Sequence, residues 1–233
     1  MKIYSQSNSP FLFDCENFNQ KIKTSGNNKN INFLSKEIFD YYSKDSIQKR
    51  ELKTVEDEEL NKIFQTKFPN TITKNCINSK MFVDDQIKKI KWCSDNLKIK
   101  ILEKIGKFYI FKLSGFEING YYLFDETNKT IIVTTNYPQI IDNSIIIDAG
   151  NVFFQEKEIK FIKLINGKIE YLNYNFPTMY NYKDWKIVKL PNGKISALFE
   201  LIIYDLKEVP SDYGTKKFEN DLEKYCIKRI AIE

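Results

Sequence analysis

From Leu97 onward the apolar residues of this 233-residue chain fall on every second position. In LKIKILEKI, Ile99 and Ile101 alternate with Lys98 and Lys100, which turns one face of an extended strand inward and the other to water. FYIFKL follows after Gly106-Lys107, a Gly-X pair suited to a two-residue hairpin turn. YYLF, TIIVTT, SIIID, VFFQ, EIKFIKL and KIEYLNY continue the series, separated by Asp, Asn, Gly and Pro. Short strands at this spacing call for an antiparallel meander, not βαβ units.

Asn-Gly pairs stand at Asn119-Gly120, Asn166-Gly167 and Asn192-Gly193, 47 and then 26 residues apart. No fixed period links them, which argues against a propeller or solenoid. EIKFIKL and KIEYL alternate cleanly on either side of Asn166, as a type I′ hairpin needs. Pro191 makes the later pair less regular. The run ISALFELIIYDL, from Ile195 to Leu206, fits a helical stripe as well as a strand; the turn before it favours strand.

Before Leu97 the signals are helical. Thr54 can cap a helix whose first turn holds Glu56, Asp57, Glu58 and Glu59, acids favoured near the positive end of the helix dipole. Leu60, Ile63, Phe64 and Phe68 follow helical spacing, with Pro69 directly after. A second helix is predicted from a Ser79 cap through Val83, Ile87 and Ile90, and a last one over Phe218, Leu222, Tyr225 and Cys226 after Thr215. KTSGNNKN, Lys23 to Asn30, reads as a surface loop. The expected fold class is therefore α+β. Helices in 1–96 pack on a C-terminal antiparallel meander sheet in 97–233, with a final helix at the C-terminus, as two parts or one domain.

Composition excludes much chemistry. With no histidine, Ser-His-Asp and Cys-His systems and most zinc sites are out. The four cysteines, Cys15, Cys76, Cys93 and Cys226, have no metal-like spacing and read as buried free thiols, with a pair of disulfides as the alternative. Net charge is +5, yet Arg50 and Arg229 are the only arginines, which counts against nucleic acid as a partner. No apolar run is long enough to span a membrane as a helix. The start, MKIYSQSNSPFLFDC, lacks the apolar core of a secretory signal, so cytoplasm is the expected compartment. No cofactor and no metal site is expected.

Three stretches carry candidate function. YLNYNFPTMYNYKDW places six aromatics in 15 residues, and Asn and Pro suggest an exposed loop offering Tyr174, Phe176, Tyr180, Tyr182 and Trp185 to a protein partner. Between Lys80 and Lys112, nine lysines face four acids, and Lys88, Lys91, Lys98 and Lys100 are read as a steering rim. Asp148, Glu158 and Lys160 resemble the Asp…Glu-x-Lys core of magnesium-dependent nucleases, in which two carboxylates hold the cation and the lysine steadies the attacking water. An ordinary strand face with an ion pair two residues apart accounts for Glu158 and Lys160 equally well.

SKMFVDDQIKKIKW, LKIKILEKI and GKFYIFKL, read as helix, strand and strand over residues 79–113, resemble the immunity proteins of bacterial polymorphic-toxin systems. That resemblance implies a cytoplasmic, non-enzymatic protein that neutralises a cognate toxin by stoichiometric binding. The +5 charge suggests a toxin of different charge from a basic nuclease, or binding away from a nuclease cleft. The expected function is thus protein binding, with a metal-dependent nuclease, or a toxin or effector itself, as alternatives.

Overall fold

The computed structural model describes residues 23–26, 31–83, 86–115, 118–151, 157–166, 168–176, 180–210 and 217–233. In chain order the elements are β1 (Lys23–Gly26), β2 (Ile31–Leu34), α1 (Lys36–Ser43), β3 (Ser46–Ile47) and α2 (Glu58–Lys67). Next come β4 (Cys76–Val83), β5 (Gln86–Cys93), β6 (Lys98–Ile105), β7 (Phe108–Gly115), β8 (Ile118–Asp125) and β9 (Thr130–Thr134). Then follow β10 (Gln139–Ile141), β11 (Ile145–Asn151), β12 (Lys157–Ile165), β13 (Lys168–Phe176), β14 (Tyr180–Lys189), β15 (Ile195–Val209) and β16 (Lys217–Ile232). Three sheets result, ordered β5-β4-β9-β8-β7-β6, β1-β13-β12-β11-β10 and β2-β16-β15-β14-β3. Each contains a meander of consecutive strands, although the sequence has no matching period.

The chain divides into two compact units, one holding Phe176–Glu233 with residues 31–47 and the other Gln48–Asn175. In the second unit, strand periodicity explains the layering. Tyr109, Phe111 and Leu113 of β7 face α2, in a core with Phe64, Phe68, Tyr122 and Phe124. Phe108 and Ile110 face the other way and pack with Ile140, Ile146 and Ile162 of the neighbouring sheet. β7 is apolar on successive positions because both its faces are covered. A register shift between Ile101 and Glu103 lets Ile101 point to the α2 side while Leu102 joins the opposite core, as a bulge does.

In the first unit α1 lies on the face of the β14–β15–β16 sheet formed by Val188, Leu198 and Ala231, and inserts Phe39 there. The opposite face of the same sheet buries Phe199, Leu201 and Ile230 completely. No helix among the described residues is long and apolar enough to cross a membrane.

The α+β expectation is overturned: among the described residues the protein is mostly β, with two short helices and strand, not helix, over Lys217–Ile232. The predicted helix from Ser79 is the β4–β5 hairpin. Its reversal places Val83 on one strand and Ile87 and Ile90 on the next, so residues three and four apart mimic a helical face. The predicted last helix is β16. Tyr204 pairs with Tyr225 but Asp205 with Asp221, so residues 222–224 are extra and break the period of two. Phe218, Leu222 and Cys226 acquire helical spacing from that interruption. The predicted helix over Leu60–Phe68 forms as α2, but its cap is Asp57, whose carboxylate accepts from the Leu60 N–H at 2.9 Å. α1 had no counterpart in the sequence reading. Lys23–Gly26, expected in a loop, form edge strand β1.

Ile195–Leu206 is strand, as the preceding turn suggested. The Asn-Gly pairs serve different ends. Asn166, between β12 and β13, has φ of 50°, the left-handed value that the first central residue of a type I′ turn takes. Gly193 alone is left-handed in its turn, φ 82°, after Pro191 and Asn192, the pattern of a type I turn closed by a left-handed glycine. Asn119-Gly120 is no turn and lies inside β8.

Candidate functional site

Among the described residues β5 is the last strand of its six-stranded sheet. Its inner neighbour β4 is anchored by Ile77 and Met81, 1% and 7% exposed. On β5 itself Ile90 is partly buried against that core, and every other residue of the strand is exposed. Lys88, Lys89 and Lys91 stand on this edge with exposed Ile87 and Trp92. Lys80 of β4 is directly opposite Lys89, a like-charge pair that repels until an anion covers it. Edge lysines also discourage pairing with a second, identical edge.

The hairpin is closed by a disulfide between Cys76 and Cys93. Their Cα atoms lie 4.1 Å apart, the close spacing of a non-hydrogen-bonded antiparallel pair. Cys226 is disulfide-bonded as well, so no described cysteine is a free thiol. This corrects the reading of buried thiols. A signal existed in the sequence: Cys76 and Cys93 are equidistant from Asp84-Asp85, so the pairing that sets Val83 against Gln86 also brings them face to face.

The other lysines of the predicted rim are elsewhere. Lys98 and Lys100 belong to β6, the opposite edge of the sheet, roughly 24 Å away at ordinary strand spacing. Lys100 pairs with Lys112, whose ammonium lies over the Tyr121 ring at 4.2 Å. Burial pulls the Lys112 pKa down.

The aromatic stretch is largely strand. Tyr174 is wholly buried in β13, and Trp185 on β14 is 9% exposed and stacked on Phe199 at 5.6 Å. Tyr182 meets the same ring edge-on. Phe176 ends β13 and Tyr180 opens β14; residues 177–179 lie outside the described residues. The stretch is cut by the unit boundary at Phe176.

Burial pushes the Tyr174 hydroxyl up to about 12. A folded value above the unfolded one, about 10, means the native state keeps this proton longer. The associated stability is complete below about pH 10 and is lost as pH rises toward the folded value. In an absorbance titration Tyr174 should ionise only as the protein unfolds in alkali. Wild type should therefore lose more stability than Tyr174→Phe between about pH 10 and 12. Equal losses would contradict the buried placement.

Asp148, Glu158 and Lys160 do share one face of β11 and β12, with Asp148 opposite Lys160. Their side chains are otherwise engaged. The Asp148 carboxylate is buried and accepts from the Thr135 N–H at 2.7 Å and from the Asn136 N–H and Nδ2, both at 3.0 Å. Burial raises its pKa, while these donors and Lys160 pull the other way. It secures the loop between β9 and β10, and Gly150 leaves room there for the Asn136 side chain. Glu158 pairs with Lys160 at 3.0 Å and accepts from Asn173 Nδ2 at 2.6 Å. Among the described residues no group of three acids or cysteines is placed to hold a metal ion.

No protein-family model, curated protein or solved structure matches this chain.

Proposed function

We propose that this protein acts by binding an acidic protein partner along the lysine-lined edge of β5. One observation carries the reading: an eight-residue edge strand exposed at all positions but one, bearing three lysines, Ile87 and Trp92. Strand addition to such an edge supplies backbone hydrogen bonds for affinity, and side chains flanking it supply specificity. The lysines steer an acidic partner and repel a basic one. A toxin neutralised by stoichiometric capture is the partner class suggested by the immunity-protein resemblance, and an acidic toxin surface fits the charge. The helix on which that resemblance partly rested is the β4–β5 hairpin, so the edge and not the pattern supports the reading.

Disulfides persist in oxidising compartments and are rare in the cytosol. The paired cysteines therefore favour an oxidising compartment over the cytoplasm.

Co-expression with the product of the adjacent gene, and capture from native cells, test the proposal. An acidic protein should copurify, and the double variant Lys88→Glu/Lys91→Glu should weaken its binding at least about tenfold, more at low salt than at high. Both residues are exposed, so thermal stability should change little. A basic partner, or affinity unaffected by the double reversal, would remove the edge from consideration.

A further inference from the structure

We infer that β5 receives an extended partner strand on the backbone of Ile87, Lys89 and Lys91, with acids of that strand beside Lys89 and Lys91. This names the partner's pattern and rests on the edge-binding reading above. Three observations fix the phase of the β4–β5 pairing. The Cα atoms of Cys76 and Cys93 lie 4.1 Å apart, the spacing of a pair that exchanges no hydrogen bonds. At the adjoining pair the Ser94 N–H donates to the Asn75 carbonyl at 3.0 Å, as the alternation requires. On the far side of β4 the Cys76 carbonyl accepts from the Thr73 N–H at 2.9 Å, and the Asn78 N–H donates to the Thr71 carbonyl at 2.8 Å. Cys76 and Asn78 thus turn these backbone groups away from β5. The register runs unbroken from Cys76 and Cys93 to Val83 and Gln86, so the alternation carries along the whole hairpin. Lys88, Ile90 and Trp92 bond to β4 through their N–H and carbonyl groups. Ile87, Lys89 and Lys91 direct theirs to the open edge, where no strand among the described residues pairs with them.

Side chains follow the same alternation. Lys89 and Lys91 project on one face, with Lys80 opposite Lys89, and all three are exposed. Lys88 projects on the other face, where Ile77, Met81 and Ile90 meet the core that holds Phe64 of α2. A strand laid along β5 sets one residue beside Lys89 and another, two positions away, beside Lys91. Acids there form direct cross-strand pairs with both lysines and offset the repulsion between Lys80 and Lys89. The next position on that face lies beside Ile87, which is 52% exposed, and takes an apolar residue. An antiparallel partner meets Lys91 first, so its pattern is acid-x-acid-x-apolar, with the backbone groups of Ile87, Lys89 and Lys91 holding it.

Amide hydrogen exchange on the full chain tests this, with and without a blocked Thr-Glu-Thr-Glu-Thr-Val-Thr peptide. In the free protein the amides of Ile87, Lys89 and Lys91 should exchange at least about tenfold faster than those of Lys88, Ile90 and Trp92. Saturating peptide should slow the first three by at least about tenfold and leave β7 and β8 as they were. Lys89→Glu/Lys91→Glu should weaken the peptide at least about tenfold. The same peptide with lysines in place of its glutamates should bind that variant and not wild type, which shows the variant to be folded. Fast exchange at Lys88, Ile90 and Trp92 in place of the other three overturns the phase. A bound peptide that leaves Ile87, Lys89 and Lys91 exchanging as before overturns strand addition, and leaves an acidic partner held by side chains alone. If the peptide does not bind but an acidic protein copurifies, the same three amides must be protected in that complex, or strand addition falls. If neither the peptide nor any acidic protein binds, the edge-binding function itself is removed.

Discussion

Phe64→Ala should cost about 3–5 kcal/mol, the range for removing a fully buried aromatic ring. Phe64 has no exposed surface. Its ring meets Tyr109, Phe111 and Phe124 edge-on at 5.0, 4.9 and 5.3 Å, and Phe68 at 5.3 Å. α2 has little else to hold it: Leu60 is only partly buried, and Ile63 is 51% exposed. The polar ties of the helix are weaker. Lys67 and Lys104 both pair with Glu126, at 2.8 and 3.0 Å, and the hydrogen bond from Lys67 is the largest influence holding the Glu126 carboxyl below its usual value. Exposed pairs of this kind contribute at most about 1 kcal/mol, so packing decides. Urea denaturation read by near-ultraviolet circular dichroism should show the loss, and Phe64→Leu should recover a good part of it. A cost below about 1 kcal/mol for the alanine variant would mean that α2 is not seated by this ring.

Asp148→Ala is expected to destabilise by a similar amount, about 3–5 kcal/mol, for a different reason. It leaves the Thr135 and Asn136 N–H groups without their acceptor, a carboxylate that is itself 1% exposed. Asp148→Asn keeps the shape and one acceptor oxygen, so its cost should be clearly smaller. The pair of variants separates a structural carboxylate from a catalytic one. If Asp148 serves the loop, Asp148→Asn folds and binds the partner like wild type, whereas Asp148→Ala melts at a lower temperature. Magnesium-dependent cleavage of DNA or RNA by wild type, abolished in a well-folded Asp148→Asn, would give the nuclease alternative the support it lacks in the geometry.

What could be read from the chain, and what could not, divides along the reach of the signal. Apart from VFFQ, which lies outside the described residues, and the short β10, which the sequence reading passed over, the strands from Lys98 to Phe176 were legible because alternation is local and both partners of each hairpin carry it. The run at β16 was misread because three extra residues after Asp221 shift the alternation, and that shift exists only relative to β15. The β4–β5 hairpin was misread because its apolar residues sit on two strands, not one face. The disulfide was legible in principle, from two cysteines symmetric about Asp84-Asp85, once that dipeptide is taken as a turn. For the binding residues, aromatic density in Tyr171–Trp185 said that the rings matter but not on which side of a sheet. Tyr174 and Trp185 proved to be core. Lys88 and Lys98 are near in sequence, yet the sheet order places them at opposite edges.

By itself, then, the sequence determined the extended character of most of the stretch from Lys98 to Asn175, the positions of the hairpin turns around Gly106, Asn166 and Gly193, and the exclusion of histidine chemistry. These follow from side-chain period, backbone permissiveness and residue type, which need no distant partner. Only the tertiary structure decided which strands lie at the edges, which aromatics are covered, and that Asp148 secures a loop. Burial and pairing are properties of contacts between segments far apart in the chain. An isolated strand carries two faces and two edges, and it is the neighbouring strands that settle which of them reach water.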